Sequence, residues 1–259
     1  MCRPRYYRVA YEINPWMKVR HPVERDQAAA QWEVLYKTLR GLPGVKVKLI
    51  PHARGWPDMV FTANGGLVFD RSVVIPNFRY PQRQGEARHF GAWFGKKGYR
   101  LIRIPSRFQF EGEGDALKLG DTWFFGYHFR SDISSHQWLS EKLKARVLSL
   151  ELVDKRFYHL DTCFLPLSDS SCLYYPKAFD PYARKLIERY VPNPVAVGLR
   201  DALKFVCNAI AVGKRLVVHK GVSRPLRRTL EKMGFRFIEL ELGEFLKAGG
   251  SAKCLVLRL

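Results

Sequence analysis

One order of local patterns recurs four times along this chain, and that repetition limits its folds more than any single motif. Each copy opens with a short polar signature, then has two β-rich runs around a tight turn. The four paired runs are TANGGLVFDRSVVIP, EGEGDALKLGDTWFFGY, YHLDTCFLPLSDSSCLYYP and VCNAIAVGKRLVVHK. Their turns are expected at Asp70-Arg71, Gly120-Asp121, Ser168 to Ser171 and Gly213-Lys214. Two apolar runs about turn residues predict a β-hairpin. A helical pattern follows each hairpin: GEARHFGAWFGKKG, SSHQWLSEKLKAR, DPYARKLIERY and SRPLRRTLEKMG. Apolar residues recur three and four apart there, as in Leu226, Leu230 and Met233. Ser223 is placed to cap the last of these, with Pro225 in its first turn. A short apolar strand closes each copy: YRLIRIP, RVLSLEL, PVAVGL and FRFIELEL.

The opening segment keeps this order but lacks one hairpin strand: RYYRVAYEI reads as a strand, VERDQAAAQWEVLYKTLRG as a helix and VKVKLIP as a strand. At the far end KCLVLRL reads as a lone strand. Pairing it beside the N-terminal strand would complete a fifth unit and remove the exposed sheet edges. Marker residues set the period. Asn64, Glu111, His159, Asn208 and Cys254 head successive units, with separations 111 − 64 = 47, 159 − 111 = 48, 208 − 159 = 49 and 254 − 208 = 46. Equivalent positions in a ring of similar units converge on its axis. The expected fold class is therefore α/β, a five-bladed α/β propeller with repeats of about 47 residues, closed by its terminal strands. Pro and Gly fall at element ends rather than in runs, so residues 1–259 are expected to form one domain.

Composition narrows the function classes. A hydrophobic content of 47% over 259 residues is ample for a packed core. The formal charge is 44 − 24 = +20, which favours polyanions. The Lys and Arg residues are spread along the chain, however, so a solvated surface is the expectation and nucleic-acid contact is not. No apolar run approaches the ~20 residues of a membrane helix, and MCRPRYYRVAYEINPWM lacks the apolar core of a signal peptide. The five Cys, without CxxC spacing, predict neither a disulfide framework nor a zinc ribbon, and the expected compartment is the cytoplasm. No HExxH, HxH or Cys–His pair has ligand spacing, so no metal is expected. The glycines of EGEGD are not followed by the helix a phosphate needs, so no nucleotide cofactor is expected either.

The chemistry-bearing residues sit at the markers. GGSAKC places Cys254 after two glycines that permit close backbone approach. As a thiolate it would be a nucleophile. His159 lies two residues before Asp161, on one face of a strand, an arrangement fit for acid–base work near neutral pH. FEGEGD supplies Glu111, Glu113 and Asp115. Which of Glu111 and Glu113 faces the centre is a question of register, and position in the repeat favours Glu111. An acidic, thiol-bearing centre in a basic shell predicts a small cationic substrate. Arg83 and Arg130, just after the first and second hairpins, are candidates to take a substrate carboxylate.

YEINPWM, PDMVFTAN, FEGEGD, YHLDTCF and GGSAKCLVLRL together resemble the guanidine-modifying enzymes of the amidinotransferase, arginine deiminase and dimethylarginine dimethylaminohydrolase superfamily. The resemblance covers essentially the whole chain, and YEINPWM and FTAN look most like the arginine dihydrolase branch. It implies the five-bladed propeller, no cofactor, and a Cys254 that attacks a guanidinium carbon to give a thiouronium adduct. It also implies that His159 moves protons between leaving group and water, and that Glu111 holds His159 or the guanidinium. Asp161 would clamp the guanidinium nitrogens with Asn64 across the site. Arg83 and Arg130 would take the α-carboxylate, and Asn14 would lie near the guanidino group. Asp115 is placed with the substrate-binding set.

Members that hydrolyse methylarginine typically carry acids where Ala63 and Asn64 stand. An amide both donates and accepts, so Asn64 is expected to accommodate a guanidine and then a neutral ureido group. The expected reaction is arginine to ornithine, carbon dioxide and two ammonia. The alternatives are a dimethylarginine dimethylaminohydrolase, an arginine deiminase or an amidinotransferase. An alternative of another class is a non-catalytic propeller that binds RNA or the ribosome.

Overall fold

A computed structural model describes residues 1–259. All four hairpins form where the turn chemistry puts them. They are β1 (Leu67–Phe69) with β2 (Ser72–Ile75), β4 (Ala116–Leu119) with β5 (Thr122–Tyr127), β7 (Phe164–Ser168) with β8 (Ser171–Tyr174), and β10 (Ile210–Val212) with β11 (Arg215–His219). Asp70, Gly120 and Gly213 take φ values of 50°, 55° and 55°, the left-handed conformation that two-residue hairpin turns demand. A third strand pairs in parallel with the second strand of each hairpin: β3 (Arg100–Arg103), β6 (Arg146–Glu151), β9 (Asn193–Ala196) and β12 (Arg236–Leu240). A parallel partner requires a crossover. Helices α2 (Glu86–Lys96), α3 (Ser134–Leu143), α4 (Pro181–Tyr190) and α5 (Arg224–Lys232) supply it, while α1 (Arg25–Arg40) lies in the opening segment. Asp180 caps α4 by accepting from the N–H groups of Tyr182 and Ala183, and Ser223 caps α5 by accepting from Leu226.

The middle strands explain the apolar runs. β2 and β8 are buried along their whole length, and all of β11 except Arg215 is buried. A strand hydrogen-bonded on both edges and covered on both faces has no polar side to offer. Helix α1 buries Trp32, Leu35 and Leu39 in a cluster with Tyr7, Phe245 and Leu255, which fastens the two ends of the chain together. Each such large side chain contributes about 2 kcal/mol of transfer free energy.

The fifth unit departs from expectation. Neither RYYRVAYEI nor KCLVLRL forms a strand, and VKVKLIP contributes a single parallel bridge, Cys2 to Ile50. The backbone is committed elsewhere. The Tyr7 N–H turns back to the Pro4 carbonyl at 3.1 Å, and those of Leu255 and Val256 turn back to Ala252 and Lys253 at 3.3 and 3.0 Å. Segments 45–48 and 256–259 line a largely apolar cleft of about 560 Å³ instead of pairing with each other.

The unit heads nonetheless come together. Each hairpin is preceded by a tight helical turn: Thr62–Gly65, Gly112–Gly114, Leu160–Thr162 and Val206–Asn208. The turns are linked in sequence by hydrogen bonds. Asn64 Nδ2 donates to the Glu111 carbonyl (3.1 Å), the Leu160 N–H to Asp115 Oδ1 (3.0 Å), Asn208 Nδ2 to the Asp161 carbonyl (2.9 Å) and the Cys254 N–H to Asn208 Oδ1 (3.2 Å). The Ala63 N–H then donates to the Cys254 carbonyl (3.1 Å), and the circuit is complete.

Candidate active site

This circuit surrounds a small cavity whose lining includes Asn14, Asp58, Asn64, Arg83, His159 and Cys254. Its free volume is about 10 Å³, room for about one water molecule. That space is too small for a guanidino substrate, which must displace part of the lining to enter.

Cys254 Sγ lies 3.4 Å from Asp161 Oδ2 and accepts from Asn208 Nδ2 at 3.1 Å. Burial, and then the Asp161 carboxylate, push the thiol well above its ordinary range. Burial likewise pushes Asp161 up to about 6, against the pull of the Lys253 ammonium. Its Oδ1 is buried without a partner, so one carboxylate oxygen is unspent beside the thiol.

His159 Nε2 faces Glu111 Oε2 at 2.8 Å, and Arg130 Nη1 reaches the same oxygen at 3.1 Å. Burial favours a neutral Glu111, but the Arg130 guanidinium and the His159 hydrogen bond outweigh it. They hold the carboxyl well below the usual carboxylate range. An ionised Glu111 accepts a hydrogen bond from the Nε2–H, which leaves Nδ1 as the lone-pair nitrogen of the imidazole. Burial lowers the His159 pKa to about 4 although Glu111 opposes it, so the ring is neutral at pH 7 and able to accept a proton.

Glu111, not Glu113, is the carboxylate beside the imidazole. Glu113 Oε2 instead accepts from Lys253 Nζ at 2.9 Å and from the Arg258 N–H at 3.2 Å.

The remaining expected residues fall less simply. Arg83 lines the cavity, but its fork grips Glu86 at 3.1 and 2.8 Å and Asn64 Oδ1 at 2.8 Å. Arg130 is stacked between Tyr80 and Tyr158, whose ring centroids are 4.7 and 4.6 Å away, and its Nη2 donates to the Ile13 carbonyl. Asn14 shapes its own loop. Its Oδ1 accepts from the N–H groups of Trp16 and Met17, and Nδ2 donates to the Ala248 carbonyl. Asp115 is turned to the scaffold, because both oxygens are taken, by Ser131 Oγ at 2.7 Å and the Leu160 N–H at 3.0 Å. Burial pushes its carboxyl well above the ordinary value.

Sequence reasoning passed over Asp58 and Glu86. Both are buried against Arg83, and Asp58 lines the cavity with its Oδ1 unpartnered. Burial raises Asp58, and raises Glu86 to about 7. Their signal was an acid inside the apolar PDMVF and another three residues after Arg83. No three His, Cys, Asp or Glu side chains are grouped as metal ligands, and no helix is long and apolar enough to cross a membrane.

The chain is similar to known proteins over its whole length. A family model described as N,N dimethylarginine dimethylhydrolase, eukaryotic, matches residues 12–259. The bifunctional arginine dihydrolase/ornithine cyclodeaminase ArgZ of Synechocystis sp. is 46% identical over 264 residues, covering 100% of this chain. The chain spans only 37% of the length of that relative. The N(G),N(G)-dimethylarginine dimethylaminohydrolase of Mycobacterium tuberculosis is 41% identical, covering 100% of this chain and 84% of the relative. The crystal structure of the N-terminal domain of ArgZ, a cysteine-to-serine mutant bound to substrate, aligns with a TM-score of 0.94 at 44% identity, covering 100% of this chain and 96% of that one. A dimethylarginine dimethylaminohydrolase adduct at 20% identity, with a TM-score of 0.81, shares the fold. The chain belongs to the dimethylarginine dimethylaminohydrolase family, within the guanidine-modifying superfamily.

Proposed function

We propose that the chain is a cysteine-dependent hydrolase that converts arginine to ornithine, carbon dioxide and two ammonia. The observation that carries this reading is the meeting, in one water-poor cavity, of the Cys254–Asp161 pair and the His159–Glu111 pair. The 46% identity to ArgZ, a bifunctional arginine dihydrolase/ornithine cyclodeaminase, favours arginine as substrate.

The guanidinium is resonance-stabilised and a poor electrophile. The Asp161 carboxylate beside Sγ would pin its nitrogens and hold positive charge on the central carbon, and the substrate cation favours the thiolate. As the Cys254 sulfur attacks that carbon its thiol proton passes to the neutral His159 ring, which delivers it to the ammonia that leaves. His159 then takes a proton from water, which hydrolyses the thiouronium adduct and frees the thiol. A second round on the ureido product requires Asn64 to face a neutral group. Its amide hydrogen-bonds both Arg83 and the Glu111 carbonyl, so it adds no charge to disfavour one. Arg83 and Arg130 would bind the α-carboxylate once the lining opens. Asn14 would help shape the guanidino end.

The closed circuit of turns supports the five-bladed propeller, its fifth blade reduced to α1 and the terminal segments, and a single domain over 1–259. The cytoplasm remains the proposed compartment.

Arginine is the first substrate to test, with ornithine, citrulline and ammonia quantified. Two ammonia per ornithine are expected. Citrulline that accumulates with one ammonia per turnover would refute the two-step reaction. The family match and the 41% identical relative favour one second reading, dimethylarginine hydrolysis, and release of dimethylamine would establish it.

A further inference from the structure

Asn208 heads the fourth unit, at the same point of the repeat as Asn64, Glu111, His159 and Cys254. Its side chain is wholly buried and every part of its amide is used. Oδ1 accepts from the Ser251 N–H at 3.0 Å and the Cys254 N–H at 3.2 Å, which fixes the backbone that leads into the thiol-bearing residue. Nδ2 donates to the Asp161 carbonyl at 2.9 Å and to Cys254 Sγ at 3.1 Å. Four contacts leave the amide one orientation, because a flipped amide would set an NH₂ against two N–H donors.

We propose that Asn208 is a catalytic residue, the side-chain donor that stabilises the Cys254 thiolate during attack and receives the sulfur again when the adduct is hydrolysed.

The need for such a donor follows from the geometry. In the resting site Sγ faces Asp161 Oδ2, so removing the thiol proton sets two anions 3.4 Å apart. Burial leaves no solvent to screen them. A substrate cation offsets that repulsion only while it remains a cation, and the ureido group of the second round is neutral. Asn208 does not depend on the substrate. Its N–H is aimed at the sulfur before substrate arrives and costs no reorganisation at the moment of charge development. The main-chain groups of Ser251 and Cys254 hold it from behind, and the Asp161 carbonyl holds it from the side. Nδ2 therefore keeps its aim when the carboxylate moves.

This role rests on the proposed cysteine chemistry but not on the identity of the guanidine. Its test therefore reads the thiol directly. The rate of Cys254 carbamidomethylation by iodoacetamide, followed peptide by peptide, gives the pH midpoint of thiolate formation without substrate. Asn208→Ala removes the donor to sulfur without adding a charge beside it. The expected midpoint rises by about one pH unit or more. The expected kcat on arginine falls about 10²-fold, with KM within about threefold. Asn208→Ser restores a hydroxyl donor and should recover part of both losses, which guards against a poorly folded Ala variant. An unmoved midpoint with lower kcat in both variants would overturn the proposal and make Asn208 a scaffold residue. An unmoved midpoint with full kcat would overturn it as well. A moved midpoint in a protein that consumes another guanidine but not arginine would sustain Asn208 while refuting the substrate assignment.

Discussion

Asp161→Asn should make the protein more stable and inactive at once, by an amount that depends on pH. Burial raises the Asp161 carboxyl from 3.8 to about 6. The folded state therefore binds its proton more tightly than the unfolded chain does. A group of this kind contributes stability that is fully present below pH 3.8 and is lost as pH rises through 6. The difference, 6 − 3.8 = 2.2, corresponds to about 3 kcal/mol at pH 8. Asparagine has no proton to lose and escapes that penalty. It also inherits a site where Oδ1 already lacks a partner, so it forfeits little hydrogen bonding. For a chain of this size the gain amounts to an increase of roughly 6–12 °C in Tm. It should shrink to about half by pH 5 and nearly vanish by pH 4. The assay is a thermal melt of wild type and variant from pH 4 to 8, paired with arginine turnover, which should fall below about 10⁻³ of wild type as the guanidinium clamp is lost. A variant less stable than wild type at pH 8, or one with the same gain at pH 4 and pH 8, would refute the claim that Asp161 is a charge held at a cost for function.

Two further substitutions probe the arrangement. In Glu111→Gln the carboxylate shared by His159 and Arg130 is gone, and a buried guanidinium is left uncompensated; a loss of about 3–5 kcal/mol in urea unfolding at pH 7 and a kcat reduced 10²–10⁴-fold are expected, and an unchanged kcat would remove His159 from the proton transfers. In Gly114→Ala the new Cβ would fall 2.2 Å from Asn64 Nδ2 and 3.3 Å from the His159 ring, so kcat should drop about 10²-fold through misplacement of both, with a folding cost of about 1–3 kcal/mol; full activity would show that the tight packing there is not needed.

Much of this architecture was legible in the residues. Asp70-Arg71 and Gly213-Lys214 announce hairpins because few residues tolerate the turn, and Ser223 announces a helix start because its hydroxyl satisfies an otherwise free N–H. The markers at intervals of 46 to 49 residues anticipated the circuit of turns, since equivalent points of similar units meet wherever those units are arranged in a ring. The terminal strands were misjudged for a local reason. Alternation in KCLVLRL describes a face, but the Leu255 and Val256 N–H groups are taken by Ala252 and Lys253 before any neighbour can use them. Arg83 was read for its reach to a substrate carboxylate, and the residues left its own partner unassigned. Glu86, one helical turn further on, already holds it.

The sequence alone determined where the chain turns, which strands are buried, and that a thiol, an imidazole and acids would head successive units. Those are matters of short-range periodicity and backbone sterics. Only the tertiary structure decided which oxygen each cation takes: Glu111 for His159 and Arg130, Glu113 for Lys253, Glu86 for Arg83. A long side chain chooses among acids by differences of an ångström or two, and the chosen acid is three residues away for Arg83 but 140 away for Lys253, so no local pattern encodes the choice.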